Sequence, residues 1–278
     1  MVVYKEIINY SELFAFHLNI NAPYIKEVEY TDYLTSLFYD TDSYGNKLFK
    51  ELYLVGAYLN DELVGFIQFG TTNIGFYDNG EISEKVNYSV IRNLYFEDKS
   101  VGKELLKRAL ILLKNDIFAF FQYFGMSCFS RHGKLSENLK LVEELLEEYG
   151  FVPNEENVYY SLEIKEKEDN EISLDFERKN DFNTQTIIFK DKDEFVGQCE
   201  VHYVNKKKAY LRWVYVDGSK LHKGYGSKCM SKLTNYLLSL GIDKFDTDTA
   251  LNNEIAQKYY ERNGFINLGK TKSYLKIK

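Results

Sequence analysis

Val214–Ser227 reads Val-Tyr-Val-Asp-Gly-Ser-Lys-Leu-His-Lys-Gly-Tyr-Gly-Ser. Ala209–Val216 alternates as a strand, and the strand runs into a glycine-containing loop. Beyond the loop, Tyr225, Cys229, Leu233, Leu237 and Leu240 recur at helical spacing. Gly224 and Gly226 carry no Cβ, so their backbone can approach a ligand closely. The first N–H groups of the helix have no intrahelical acceptor and point into the loop, where the helix dipole favours an anion. A pyrophosphate suits such a place. Lys220, Lys223 and Lys228 add positive charge around it. Glycines at a strand-to-helix turn also serve geometry alone, so this stretch by itself leaves both readings open. The spacing is not Gly-x-x-x-x-Gly-Lys-Ser/Thr, and no third glycine completes Gly-x-Gly-x-x-Gly.

Downstream, Asn253–Phe265 reads Asn-Glu-Ile-Ala-Gln-Lys-Tyr-Tyr-Glu-Arg-Asn-Gly-Phe. Asn253 can cap this helix by accepting a backbone N–H. Small Ala256 lets it sit close to a neighbour. Tyr259 and Tyr260 point about 100° apart, so one can pack while the other faces a cleft. A cleft-facing phenol can protonate a leaving group. With 24 tyrosines in the chain, packing of both is the plainer alternative.

Together the two stretches resemble the GNAT N-acetyltransferase superfamily over about residues 185–275. Gly224-Tyr225-Gly226 matches the end of that family's Arg/Gln-x-x-Gly-x-Gly/Ala loop, at the family's distance from Val216. Asn253, Ala256, Tyr260, Gly264 and Phe265 match its Asn-x-x-Ala-x-x-x-Tyr-x-x-x-Gly-Phe motif. Leu221 departs from it, standing where Arg or Gln usually braces the loop. The resemblance implies acetyl-CoA as cosubstrate, direct transfer in a ternary complex, and a primary amine of a small molecule or peptide as acceptor. It implies that Val214, Tyr215 and Val216 align the pantetheine arm, and that Leu221, His222, Lys223, Gly224, Tyr225, Gly226 and Ser227 form the pyrophosphate loop. Asn253 is placed with the cofactor-binding set, and Tyr260 is the general acid. No metal is implied.

The same order of elements occurs earlier in the chain. Leu52–Gly70 reads as two strands around an Asn60-Asp61 turn, and Thr184–Val204 as two strands around an Asp-Glu turn. Ser89–Phe96 is a strand, Val101–Lys114 a helix, and Leu139–Tyr149 a helix stopped by Gly150. Lys244–Thr249 reads as a strand and Glu254–Asn263 as a helix stopped by Gly264. Glu62–Gly65 and Glu194–Gly197 both read Glu-x-Val-Gly, and Gly150-Phe151 answers Gly264-Phe265. The shared order points to a diverged internal duplication. The fold class expected is α+β: two GNAT-like domains in tandem, each a mixed, mostly antiparallel sheet flanked by helices.

Lys165–Glu171 carries no apolar residue and marks a seam near 168, unless it is a solvated hairpin tip within one domain. The expected domains are 1–168, a degenerate structural or acceptor-side copy, and 169–278, the catalytic copy. In the first copy the loop after Phe96 is about four residues shorter. Ser100 holds the first glycine position, Glu97 and Asp98 put negative charge where a pyrophosphate needs positive, and Leu146 stands at the Tyr260 position. Helix-like Ser11–Leu18 and Glu29–Phe38 precede the first strand pair of the first copy, and the second lacks room for them. That contrast suggests that the first copy supplies the missing wall of the acceptor groove.

Composition bounds the rest. The 278 residues allow about two domains. Cys128, Cys199 and Cys229 are odd in number and widely spaced, which disfavours a disulfide framework; with His17, His132, His202 and His222 they form no metal-ligand pattern. The net charge of −7 disfavours broad phosphate neutralisation, so no nucleic-acid partner is expected. No apolar run approaches the ~18 residues of a membrane span, and the start Met-Val-Val-Tyr-Lys-Glu lacks a signal-peptide core. The expected setting is cytoplasmic. The general base is not legible: Glu200, with Gln198 and His202 on its strand face, and Asp246 with Asp248, are candidates that also suit structural roles. Two alternatives to the acetyltransferase remain: an acyl-CoA-binding sensor without turnover, and an aminoacyl transferase acting from charged tRNA. The sequence does not fix the acceptor or the oligomeric state.

Overall fold

The computed structural model describes residues 1–22, 29–38, 40–41, 47–76, 82–121, 133–178 and 184–278. Cys128 and His132 lie outside these. Contacts divide the chain into two compact units, Met1–Glu156 with Thr271–Lys278, and Asn157–Lys270.

Unit 1 contains β1 (Val2–Glu6), α1 (Tyr10–Leu18), α2 (Tyr30–Leu37), β2 (Phe49–Leu59), β3 (Glu62–Thr72), β4 (Gly75–Phe76), β5 (Ile82–Ser83), β6 (Ser89–Phe96), α3 (Lys99–Leu112), β7 (Ile117–Ala119), β8 (Leu135–Ser136) and α4 (Lys140–Glu148). Strand β9 (Val152–Glu163) then leads into unit 2. Unit 2 continues with β10 (Ile172–Arg178), β11 (Thr184–Asp191), β12 (Glu194–Tyr203), β13 (Lys208–Val216), α5 (Tyr225–Ser239), β14 (Lys244–Ala250) and α6 (Glu254–Arg262). Strand β15 (Ile266–Lys276) leads back into unit 1.

Each unit holds an antiparallel run of strands joined to one parallel neighbour. In unit 1 the order is β1-β2-β3-β6-β7, with β6 and β7 parallel over Ser89–Ile91 and Ile117–Ala119. In unit 2 it is β10-β11-β12-β13-β14, with β13 and β14 parallel over Lys208–Leu211 and Lys244–Thr247. Beyond β7, the sheet of unit 1 takes up the end of β15, with Tyr274 opposite Ala119. Beyond β14, the sheet of unit 2 takes up β9, with Tyr159 opposite Asp248. The exchange moves the division away from residue 168. The seam Lys165–Glu171 lies inside unit 2 as a polar strap on α5: the Lys167 N–H donates to Asn235 Oδ1 at 2.9 Å, Asn235 Nδ2 donates to the Lys167 carbonyl at 2.8 Å, and Lys232 pairs with Asp169 at 2.6 Å.

The duplication extends to single hydrogen bonds. The hairpin turns sit at Asn60-Asp61 (φ 51° and 66°) and Lys192-Asp193 (φ 48° and 69°), the left-handed pair a two-residue hairpin requires. The second turn lies one residue before the expected Asp-Glu. Glu97 N–H donates to the Val64 carbonyl as Asp217 N–H donates to Val196. Phe151 N–H donates to the Leu146 carbonyl as Phe265 N–H donates to Tyr260, each past a left-handed glycine, Gly150 or Gly264, that closes its helix. Helix spans agree with the apolar stripes to within two residues.

The units differ on one sheet face. In unit 1, α1 and α2 separate β1 from β2. In unit 2, residues 179–183 are all that join β10 to β11. The opposite face of unit 2 is closed by α5 and α6, whose Cys229, Met230, Leu233, Leu237 and Tyr260 pack with Ile187, Phe189, Cys199, Val201, Leu211 and Phe245. Burial raises the Cys199 thiol well above its ordinary pKa and that of Cys229 to about 12, so both stay inert thiols.

Candidate functional site

The site begins with a strand irregularity. Between Glu200 and Val201 the register of β12 against β13 slips, leaving Arg212 as the extra residue of a β-bulge. Such a bulge bends its strand and sharpens the local twist. Beyond it β13 and β14 part: their pairing ends at Leu211 and Thr247, while β14 continues on β9 through Ala250. The result is a fork whose apex is Leu211 and Thr247, with Arg212–Val216 as one arm. Val214, Tyr215 and Val216 all lie on that arm.

At the end of the arm, Asp217 turns the chain by accepting from the Ser219 N–H at 2.9 Å and the Ser219 hydroxyl at 2.5 Å. A 3-10 turn over Gly218–Lys220 follows, then Leu221, His222 and Lys223. His222 has φ 59° and Gly224 φ 82°; Gly224 is the N-cap of α5. A Cβ on Gly224 would meet nothing within 4 Å, so its requirement is conformational. Gly226 is explained by packing: its Cβ would stand 3.0 Å from the Tyr259 ring, and its carbonyl accepts from the Tyr259 hydroxyl at 3.0 Å. The N–H groups of Tyr225, Gly226 and Ser227 begin α5 and have no intrahelical acceptor.

The lysines do not stand open around this loop as the sequence suggested. Lys220 pairs with Glu194 at 2.9 Å and Lys228 with Glu171 at 2.5 Å. Both lie over the Tyr225 ring, 5.2 and 5.5 Å from its centroid, and the Tyr225 hydroxyl donates to Asp191 at 2.7 Å. Lys223 turns back to the Ser219 carbonyl at 2.9 Å. Surface carboxylates thus offset much of the local charge, and the backbone N–H groups carry the anion-binding character. Leu221 is 48% exposed, and the loop is held by Asp217, Ser219 and Lys223 instead.

Tyr260 reaches the fork from below. It is only 5% exposed, packed on Tyr160, Tyr259 and Phe265. Its ring lies beside Thr247, whose hydroxyl donates to the Leu211 carbonyl at 3.0 Å. Burial raises the Tyr260 pKa, the Thr247 side chain partly opposes this, and the Asp248 carboxylate adds to the rise. Tyr259 is the structural one of the pair, anchored on Gly226.

Asn253 acts as the cap of α6, accepting from the Ala256 N–H at 3.1 Å. Asp246 is wholly buried and accepts from Lys208, Tyr159 and, at 2.6 Å, Ser161, so it is a structural anchor. Asp248 accepts from the Tyr210 hydroxyl and Asn157 Nδ2. Glu200 is buried and accepts from Arg212. Among the described residues no group of three or more His, Cys, Asp or Glu side chains is placed to hold a metal, and no helix is long and apolar enough to cross a membrane. Sequence reasoning did not find Thr247, the Arg212 bulge or the Asp217–Ser219 turn. The repeated Asp-x-Ser of Asp98–Ser100 and Asp217–Ser219 was a usable signal for the last.

Residues 140–265 match the acetyltransferase (GNAT) family model. Along its whole length the chain is similar to a tandem GNAT protein from the clavulanic acid biosynthesis pathway, with TM-score 0.65 and 9% identity over 100% of this chain and 98% of that one. The chain is a tandem GNAT-fold protein. A GCN5-related glucosamine N-acetyltransferase region in a fungal multi-domain GH3 β-N-acetylglucosaminidase is also similar, with TM-score 0.64 and 11% identity over 99% of this chain and 38% of that one. A GCN5-related N-acetyltransferase from Sphaerobacter thermophilus gives TM-score 0.57 and 10% identity over 99% and 95%. No curated protein matches the chain. At these identities the structural likeness is one of fold, and the fold supports acyl transfer in general.

Both units are GNAT-like. Unit 1 keeps the bulge, between Gln68 and Phe69 with Arg92 as the extra residue, and departs beyond it. There α3 starts right after Asp98, whose carboxylate accepts from the Ser100 N–H at 2.8 Å and the Ser100 hydroxyl. A fixed negative charge thus occupies the helix N-terminus. Leu146, wholly buried, replaces Tyr260, and wholly buried Phe120 follows β7.

Proposed function

We propose that unit 2 is an acyl-CoA-dependent N-acyltransferase that moves an acetyl group from acetyl-CoA to a primary amine of a small molecule or peptide. The observation that carries this reading is the fork where β13 and β14 part at Leu211 and Thr247, beside a loop whose left-handed Gly224 starts α5 and whose Gly226 holds α6 through Tyr259. In this reading the N–H groups from His222 through Ser227 hold the pyrophosphate. The arm Val214–Val216 lines up the pantetheine and offers backbone donors to the developing oxyanion. Tyr260 protonates the departing thiolate. Unit 1 serves as a non-catalytic copy, because Asp98 repels phosphate and Leu146 has no proton to give.

Tyr260→Phe tests it. Loss of one positioned general acid is expected to cut turnover by ~10²–10⁴-fold, with acetyl-CoA affinity little changed. Unchanged turnover under conditions where chemistry limits the rate would overturn the role.

The exposed Leu221 and the neutralised lysines favour a second reading, an acyl-CoA-binding module without turnover. Thiol release across a panel of amines separates the two: binding with no release for any amine supports the module.

A further inference from the structure

We propose that the outer edge of β10 binds an extended peptide, which joins the sheet of unit 2 as a further strand. Its apolar side chains turn to α5 and alternate with Lys or Arg turned to the other face. The proposal stands apart from the acyl-transfer reading. β10 pairs with β11 on one side, and among the described residues no strand pairs with its other side. Such an edge presents unpaired N–H and C=O groups, a template for another chain, and folds commonly blunt it with a bulge or a proline. Here the pairing runs from Ile172 opposite Asp191 to Arg178 opposite Gln185 without a register shift, and β10 contains no proline. Its seven residues are enough for a full added strand.

A groove follows this edge. Ile172, Leu174 and Phe176 of β10 line it together with Tyr236 of α5, and Asp169, paired with Lys232, borders it. No residue of β11 lines it, so it opens along the outer side of β10. Ile172 is buried, Leu174 half-buried and Phe176 44% exposed, its ring 4.9 Å from the Tyr236 ring. The apolar surface thus widens along the strand. Alternate side chains of an added strand would rest on it.

The other face of β10 carries Ser173, Asp175 and Glu177, all exposed. Lys190 pairs with Asp175, and Glu177 makes no ion pair among the described residues. The strap that leads into the strand adds exposed Glu166 and Glu168. Side chains of an added strand stand opposite these carboxylates, where opposite charges stabilise and like charges oppose pairing. That selects Lys and Arg on the peptide. It also disfavours a second copy of this chain. Antiparallel pairing of two β10 edges centred on Asp175 sets Asp175 against Asp175, and pairing centred on Phe176 sets Asp175 against Glu177.

The test uses the full chain and the fluorescent peptide Lys-Leu-Lys-Val-Lys-Leu-Lys, blocked at both ends, read by anisotropy at physiological salt. It is expected to bind, with at least ~10-fold loss for the block isomer Lys-Lys-Lys-Lys-Leu-Val-Leu and for Glu in place of Lys. Two N-methylated isomers, one on the lysine amides and one on the leucine and valine amides, separate strand pairing from charge attraction. Only alternate N–H groups of an added strand face β10, so one isomer is expected to lose ~10-fold and the other to keep its affinity. Phe176→Ala and Glu177→Lys, both at exposed positions, are each expected to weaken binding by about threefold or more. The peptide series is read on the wild type, so it decides even if a variant fails to fold. No binding up to about 1 mM, equal affinity for the block isomer, equal affinity of the two methylated isomers, or indifference to both substitutions overturns the proposal. So does a wild-type dimer in sedimentation that Phe176→Ala dissolves, which would give the edge to a second copy.

Discussion

Arg92 and Arg212 occupy the same bulge in the two units, and their surroundings are opposite. Arg92 is 1% exposed and donates to the carbonyls of Ser36 and Leu37 at 3.2 and 3.0 Å, capping the end of α2. Gln68 adds a second bond to the Leu37 carbonyl at 2.8 Å and accepts from Asn93 at 2.8 Å. The guanidinium of unit 1 thus fastens a helix over the sheet. Arg212, with a side chain 39% exposed, pairs with Glu200, the counterpart of Gln68, because unit 2 has no α2 to fasten. One backbone irregularity has become a structural rivet in one copy and a half-exposed ion pair in the other. Divergence acted on what the bulge meets, while the bulge itself was kept.

The sharpest way to break the comparison is to remove each guanidinium. Arg92→Met removes the Arg92 donor from the Ser36 carbonyl, leaves the Leu37 carbonyl with Gln68 alone, and should cost about 2–3 kcal/mol of stability. Arg212→Met should cost less, about 1–2 kcal/mol, since the Arg212 side chain is itself 39% exposed and its interactions are partly screened by water. Urea midpoints measure both; equal losses would dissolve the distinction.

His17 sharpens the account of the helix pair in unit 1. It is 2% exposed, packs tilted against the Tyr33 ring with centroids 4.5 Å apart, and its ring nitrogens have no hydrogen-bond partner among the described residues. Burial pushes its pKa from 6.5 down to about 3. The fold therefore holds it neutral, while the unfolded chain protonates it near 6.5. Its share of stability is present above that pH and is lost as pH falls toward 3, by up to about 1.4 kcal/mol per pH unit. His17→Phe should flatten this slope, read as urea midpoint against pH. An unchanged slope would show that the imidazole is not what acid attacks.

Two smaller effects lie in unit 2. Gly224→Ala should cost about 1–2 kcal/mol, because only the left-handed φ resists it, and should weaken acetyl-CoA binding. Asn253→Ala should cost about 1 kcal/mol as a lost helix cap, with acetyl-CoA affinity unchanged. A large loss of affinity would make Asn253 a ligand-contacting residue after all.

The legible part of the sequence was what repeats locally. Strand alternation, the glycine turns and the Asn253–Phe265 motif each act over a few residues, so their spacing is visible. The exchange of β9 and β15 was not, because Tyr159 and Tyr274 alternate as they would in any sheet; only the three-dimensional pairing reveals which one receives them. The lysines misled for a similar reason. Glu171 and Glu194 are distant in sequence from Lys228 and Lys220, and their neutralising contacts depend on the fold. Tyr260 was expected at a cleft, yet it is almost entirely buried. It packs on Tyr160, Tyr259 and Phe265, contacts that depend on the fold and not on local spacing.

The central claim is that one copy binds acetyl-CoA and the other does not. Titration calorimetry of the full chain with acetyl-CoA tests it directly. The account predicts one site per chain, weakened by Gly224→Val and untouched by Asp98→Asn. Two sites per chain, or an affinity that follows Asp98 and ignores Gly224, would contradict it.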